Sequence, residues 1–431
     1  MCKVFSYGNI LYMKLSKLLL LILLMGFIVF DIVWLVEMHP ETISYVSVSL
    51  QQTSDNIAAV FFQPSITVAQ LDQKYKKASS GQAKVNLLIV PGHEPDFGGA
   101  TFGDVKERDM TVDLGNYLAG FLKNDSHFNI TITRDKQNWN PIFANYFASQ
   151  WNSIVAFAAG QKAQMQNLVN VGLVKTVTDA YHVDAPQDVA LRLYGINEWA
   201  NENNIDIEVH IHFNDYPRAH QNLPGEYSGL TIYVPESQYS NSSTTMAIAS
   251  AVLKRLSKYN AVSNLSTENA GLVQDQDLIG VGSNNSADAA SMLIEYGYIY
   301  EPQFQDPTIR DATLKDLAYQ TYLGLEDFFG QSSQSAVAYD TLMLPHHWLK
   351  DLSKNNSNLA TADVFALQSA LAEDGEYPAS SQNKNDCPRS GIFGNCTVTA
   401  VNAFQDKYNI KGESGFVGAK TRTVLNSMFG S

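Results

Sequence analysis

The stretch Leu87–Asp113, LLIVPGHEPDFGGATFGDVKERDMTVD, constrains the chain more than any other. Val85, Leu87, Leu88, Ile89 and Val90 form a short apolar run that reads as a buried strand. The run breaks at Pro91-Gly92, and His93 stands in the loop that follows. Fourteen residues later, Glu107 opens a different period, with Met110, Leu114, Tyr117, Leu118, Phe121 and Leu122 on one helical face. A histidine therefore leaves the end of a strand, and a carboxylate heads the next helix. Zinc accepts that pairing, provided a third ligand comes from elsewhere in the chain.

Two later strands offer one. Ile205–Asp215 (IDIEVHIHFND) carries His210 and His212, and Met292–Tyr300 (MLIEYGYIY) is apolar except for Glu295. In this order PGHE, KERDM, HIHFN and IEYG resemble the motifs of the zinc-dependent N-acetylmuramoyl-L-alanine amidases of the type-3 family. The resemblance spans about residues 83–330. It implies one Zn2+ held by His93, Glu107 and His212, with Glu295 as the catalytic base. It also implies hydrolysis of the amide between N-acetylmuramic acid and L-alanine in peptidoglycan, and it leaves room for a protein activator.

Each residue also has a plainer reading. A loop histidine is commonly just solvated, and a glutamate at a helix start is favoured by the dipole alone. His210 lies two residues before His212, so both point to one face of the strand. It takes the place of the family's usual serine, either orienting a ligand or sitting as a satisfied polar residue beneath the site. Glu295 is flanked by Met292, Leu293, Ile294 and Tyr296, and the burial this implies raises a carboxyl pKa. Its plainer reading is an acid paired with an arginine such as Arg134. Glu94 stands where the family more often has glycine, Gly98-Gly99 suggests close approach of backbone to substrate, and Arg108 and Asp109 read as helix-start charges.

Strands at Val85–Val90, Phe128–Arg134, Asp206–His212, Gly229–Val234 and Met292–Tyr298 alternate with helical patterns, including Ala190–Asn203 and Thr245–Leu256. The fold class expected is α/β, a mainly parallel sheet flanked by helices. In such sheets ligands gather at the carboxyl ends of strands, where His93, His212 and Glu295 fall. Residues 141–187 are extra relative to the compact family pattern and read as two helices forming a helical insertion, either a wall or lid of the site or a hairpin on its flank.

The ends of the chain differ in composition. Residues 18–36 are apolar apart from Asp31, long enough to cross a bilayer, and follow Lys3, Lys14 and Lys17. They read as an uncleaved transmembrane anchor after a cytoplasmic tail (1–17), with a cleaved signal peptide as the competing reading. The catalytic part is then expected on the outer, cell-wall side of the cell membrane, after a stalk or linker over 37–82. A connector at 331–357 precedes residues 358–431, whose three short amphipathic helices resemble the small peptidoglycan-binding domain. Leu367-Gln368, Ala400-Val401, Phe404-Gln405, Gly418 and Thr421-Arg422 carry that resemblance. Cys387 and Cys396 bracket a long loop there; in an oxidising exterior they favour a disulfide.

With 43 acids against 29 bases, the formal charge is −14, which argues against nucleic acid as a partner. Three functions follow: a membrane-anchored wall amidase, a catalytically inactive peptidoglycan-binding or scaffold protein, and a zinc hydrolase that cuts another wall amide bond. Loss of activity commonly removes a ligand or the base, and here all four positions are filled.

Overall fold

Leu87, Leu88 and Ile89 are fully buried, as a strand covered on both faces must be. In the computed structural model, residues 65–177, 185–330, 339–354 and 359–430 are described, and they fall within one compact unit, Phe62–Ser431. The apolar run forms β1 (Val85–Pro91). After it come β2 (Thr101–Phe102), β3 (Val105–Lys106), α2 (Glu107–Lys123), β4 (Phe128–Ile132), α3 (Pro141–Asn170) and α4 (Gln187–Glu202). The sheet and its cover are completed by β5 (Ile207–Asn214), β6 (Thr231–Pro235), α5 (Ser242–Tyr259), β7 (Leu272–Asp275), β8 (Ala290–Tyr298) and α6 (Pro307–Phe328).

Six strands make one sheet in the order β4-β1-β5-β8-β6-β7. All its ladders are parallel except that between β6 and β8. Alternate residues of β1 go to opposite sides. Leu87 and Ile89 join the core built with Leu114 and Leu118 of α2, Ile248 of α5 and Leu317 of α6. Leu88 and Val90 join a second core with Phe143 and Ile154 of α3 and Tyr194 of α4.

Three expectations change. The insertion is one continuous helix, α3, because nothing between Asn140, whose side chain caps it, and Asn170 breaks the helical period. Residues 178–184 of that segment are outside the described residues. The end of the expected stalk is a helix of the domain itself, α1 (Val68–Ala78), started by a capping box between Thr67 and Gln70. Leu71 and Tyr75 are buried, and Lys74 pairs with the buried Asp206 at 2.6 Å. The short strand β7 and the β2–β3 hairpin have too few apolar residues to stand out in the sequence. The anchor expected at 18–36 and its flanks lie outside the described residues; among those residues, no helix is long and apolar enough to cross a membrane.

The C-terminal part contains α7 (Ala362–Glu373), α8 (Asn395–Lys407) and α9 (Ala419–Phe429), packed around Leu367, Leu371, Val401, Phe404 and Leu425. Leu344 and Trp348, from the stretch expected to be a connector, belong to the same core. Cys387 and Cys396 are bridged, with Cα atoms 5.7 Å apart. The bridged loop carries Arg389, which is buried, pairs with the buried Asp316 of α6 at 2.8 Å and donates to Ser369 of α7. Its guanidinium also lies over the Tyr259 and Phe365 rings. Asp316 further accepts from Thr341 and the Leu342 amide, so α6, the connector and the C-terminal helices meet at one carboxylate.

Arg389→Ala leaves that carboxylate buried without its cation, and the expected cost is about 3 kcal/mol in equilibrium denaturation of the chain. The double variant Arg389→Met, Asp316→Leu should recover most of that loss, since it removes both charges; a single variant as stable as wild type would show that the pair holds nothing together.

Candidate metal centre

The backbone brings three side chains from three elements to one point. His93 leaves the end of β1, Glu107 heads α2 and His212 lies near the end of β5. One ligand atom from each falls within 4.8 Å of the others, a grouping able to hold a metal ion. His93 Nε2 approaches Glu107 Oε1 to 2.8 Å but without hydrogen-bond angles, so this buried nitrogen has no hydrogen-bond partner. His212 Nδ1 stands 3.2 Å from the same oxygen, and the two imidazoles are edge-on at 5.0 Å. Two imidazoles and a carboxylate, with one lone pair left unsatisfied, fit a divalent ion that takes nitrogen and oxygen donors.

Glycine makes this convergence possible. A Cβ on Gly92 would lie 2.3–2.6 Å from the His212 ring, a distance that no side chain can occupy. His93 itself is left-handed (φ 69°), a conformation that costs a residue with a side chain strain energy. Gly98 and Gly99 both have positive φ, and a Cβ added to either would stand 3.3 or 3.0 Å from the His93 ring.

Backbone amides fix the acid. Glu107 Oε2 accepts from the Ala100 amide at 2.7 Å and Oε1 from the Phe213 amide at 3.0 Å. Burial alone would raise its pKa, but the neighbouring histidines outweigh that and hold it well below the usual carboxylate range. Burial likewise pulls the His212 pKa down to about 4, so the ring is neutral near pH 7, as a metal ligand must be.

Arg134 does not pair with Glu295. It is buried at the end of β4 and donates to the carbonyls of Pro91, Gly92, Arg108 and Asp135. One guanidinium thus grips the peptide units beside both His93 and Glu107. His210 also stays out of the ligand group; its Nε2 faces Glu208 at 3.4 Å, beneath the site. Glu94, directly after His93, pairs with Arg192 of α4 at 2.8 Å.

Glu295 of β8 is the ladder neighbour of His212. Its Oε2 is shielded from solvent and has no hydrogen-bond partner. Burial, then Glu107 and Glu268, push its pKa well above the ordinary value. Glu268 had no sequence signal. It is buried and accepts from Tyr233, Ser263, Tyr298 and Asn214, four groups scattered along the chain. A cavity of about 1010 Å³ opens beside His93 and His212, walled on one side by α3 and α4.

Residues 87–327 match a family model described as N-acetylmuramoyl-L-alanine amidase, and residues 361–425 match a model of a peptidoglycan binding domain. No curated protein matches the chain. Solved structures similar to it include the CwlD amidase from Clostridioides difficile in complex with the GerS lipoprotein. That match has 16% identity, covers 57% of this chain and 99% of that one, and has a TM-score of 0.37. Another is the N-acetylmuramyl-L-alanine amidase Ami1 from Mycobacterium smegmatis, at 14% identity, 57% and 99% coverage and TM-score 0.37. A third is AmiC2 of Nostoc punctiforme, at 17% identity, 58% and 99% coverage and TM-score 0.34.

Gly92→Ala should displace the His212 ring and weaken divalent-metal affinity at least 10-fold, read by titration with the metal, while the circular dichroism of the fold is kept. Unchanged affinity would mean that the close approach does not set the site. Glu295→Gln should stabilise the metal-free protein at pH 7 by at least about 1 kcal/mol. The sign follows from the raised folded-state pKa: the cost of ionising Glu295 appears as pH rises through the unfolded value near 4.5 and is full above the folded one. Thermal melts should therefore separate the two proteins at pH 7 and converge below pH 4; separation that persists in acid would contradict this.

Proposed function

The chain belongs to the N-acetylmuramoyl-L-alanine amidase family, and from that premise we propose a zinc-dependent enzyme whose ion is held by His93, Glu107 and His212 and whose general base is Glu295. Its substrate is the amide between N-acetylmuramic acid and L-alanine in peptidoglycan, and the C-terminal domain holds the enzyme on the wall. The observation that carries the reading is the meeting of three ligand atoms within 4.8 Å, with Glu295, the ladder neighbour of His212, holding one buried oxygen that has no hydrogen-bond partner.

When bound, the ion would polarise the scissile carbonyl and acidify a water molecule. The protein's own work is positional and protonic. The Ala100 and Phe213 amides hold Glu107 in place, and Arg134 fixes the loop that carries His93. Glu295 takes one proton from the attacking water and returns it to the nitrogen of the departing alanine. A C–O bond forms and the C–N bond breaks; the second proton of the water leaves the new carboxyl for the amine, so the products are a lactyl carboxylate and an α-ammonium group. The raised pKa suits a group that must both accept and release a proton in one turnover. An inactive scaffold is the weaker reading, because the ligand positions and the base are all filled. Cleavage of another wall amide is distinguished by its product.

Metal analysis should find one zinc per chain. Purified protein incubated with wall fragments should expose new N-terminal alanine, and a chelator should abolish this, with zinc restoring it. Glu295→Gln should keep the zinc and lose turnover by at least about 100-fold, the scale of general acid–base catalysis. Absence of new N-terminal alanine from zinc-loaded protein would overturn the amidase assignment, and a fully active Glu295→Gln would move the base elsewhere.

A further inference from the structure

The cavity beside the metal cluster has a second group of polar lining residues, and the insertion supplies part of it. Lys162 comes from α3, Tyr194 from α4, and Ser283 and Asn284 from the segment between β7 and β8. These residues form one connected corner. The Lys162 ammonium stands 5.3 Å from the centre of the Tyr194 ring. The Tyr194 hydroxyl lies 3.1 Å from Ser283 Oγ and accepts from Asn284 Nδ2 at 2.8 Å. Asn284 and Asn285 both have left-handed backbone (φ 57° and 55°), so the Asn284 side chain is set by an unusual turn rather than a relaxed loop.

The charges lining the cavity are unequally committed. Arg192 is tied to Glu94 at 2.8 Å and to Asp188 at 2.9 Å. Lys162 is exposed, lines the cavity and makes no ion pair among the described residues. It rests on an aromatic face, beside a hydroxyl and a carboxamide, which is an arrangement of donors around one cation. Glu94 is paired with Arg192, and Asp277, the other acid of the lining, also has a partner, so an anionic group on a ligand is favoured at the Lys162 corner. A wall peptide extending from the scissile amide offers such a group, because the residues beyond L-alanine carry free carboxyls unless they are amidated.

We propose that Lys162, with Tyr194 and Asn284, forms a subsite for a free carboxylate of the stem peptide, so that the helical insertion selects substrates by their amidation state. This rests on the amidase reading. The insertion is then a specificity wall of the site.

The test uses the full chain, loaded with zinc, on two synthetic muramoyl peptides that differ only in whether the carboxyl of the second residue is free or amidated. Wild type should show the lower KM for the free acid. Lys162→Ala should raise that KM about fivefold, the scale of a part-exposed ion pair, and leave the KM for the amidated peptide nearly unchanged. The free-acid preference should disappear in that variant and persist in Lys162→Arg, which keeps the charge. Equal KM for the two peptides in wild type, or an equal rise for both in Lys162→Ala, overturns the subsite while leaving the amidase assignment in place. Cleavage of neither peptide by zinc-loaded wild type removes the assignment and the subsite together.

Discussion

The close contact between Gly92 and the His212 ring is the constraint on which the site depends. Strands β1 and β5 are hydrogen-bonded neighbours, and the ladder continues past the end of β1 through the Gly92 amide to the Ile211 carbonyl. That continuation puts the peptide unit before His93 directly against His212, where hydrogen is the only substituent that fits. The strain at His93 and the donation from Arg134 to the Gly92 carbonyl both act on the same two peptide units. A flexible loop could place His93 near His212 some of the time. The ladder, the guanidinium and the glycine contact all hold it in that place, which lowers the ordering cost of binding an ion.

A second buried arginine does for the domains what Arg134 does for the loop. Arg389 and Asp316 are both almost inaccessible to water, so neither can be separated from its partner without stranding a charge. Around them, Lys384 donates to the Ser257 and Lys258 carbonyls at the end of α5, and Asn385 to the Ser228 and Val262 carbonyls. Lys258 and Tyr259 in turn reach Glu373 of α7. The disulfide loop is therefore the joint between the sheet domain and the C-terminal helices. Since that joint is polar and directional, it fixes an orientation as well as an association, whereas apolar burial alone tolerates sliding. An enzyme acting on a wall that it also grips is served by a fixed angle between its two contacts.

The sequence revealed what local pattern can encode. The switch from an apolar run to a helical period located β1 and α2, and motif order singled out His93, Glu107, His212 and Glu295. The C-terminal helices followed from their spacing. What stayed hidden depends on contacts between distant residues. Arg134 reads as an ordinary strand-end arginine until the fold brings four carbonyls to it. Glu268 sits in a polar stretch and becomes a buried acceptor only when Asn214, Tyr233 and Tyr298 arrive from three strands. Trp348 looks like a residue of a connector because the core it fills is supplied by α7 and α9. The capping box before α1 was a local signal that the surrounding serines and glutamines masked.

Glu107 and Glu295 belong to one site, and their surroundings drive them apart in acidity. Glu107 accepts from two backbone amides and lies against two histidines, and it stays ionised despite burial. Glu295 has an oxygen with no donor at all and feels Glu107 and Glu268 as like charges. Such a split between two carboxylates is how one pocket at one pH holds both a permanent anion and a group that can carry a proton. It also explains why the chain tolerates a destabilising residue in the middle of β8. A bound divalent cation adds the positive charge that this group of acids lacks, so the charge imbalance that costs stability in the metal-free protein is the same feature that favours binding the ion.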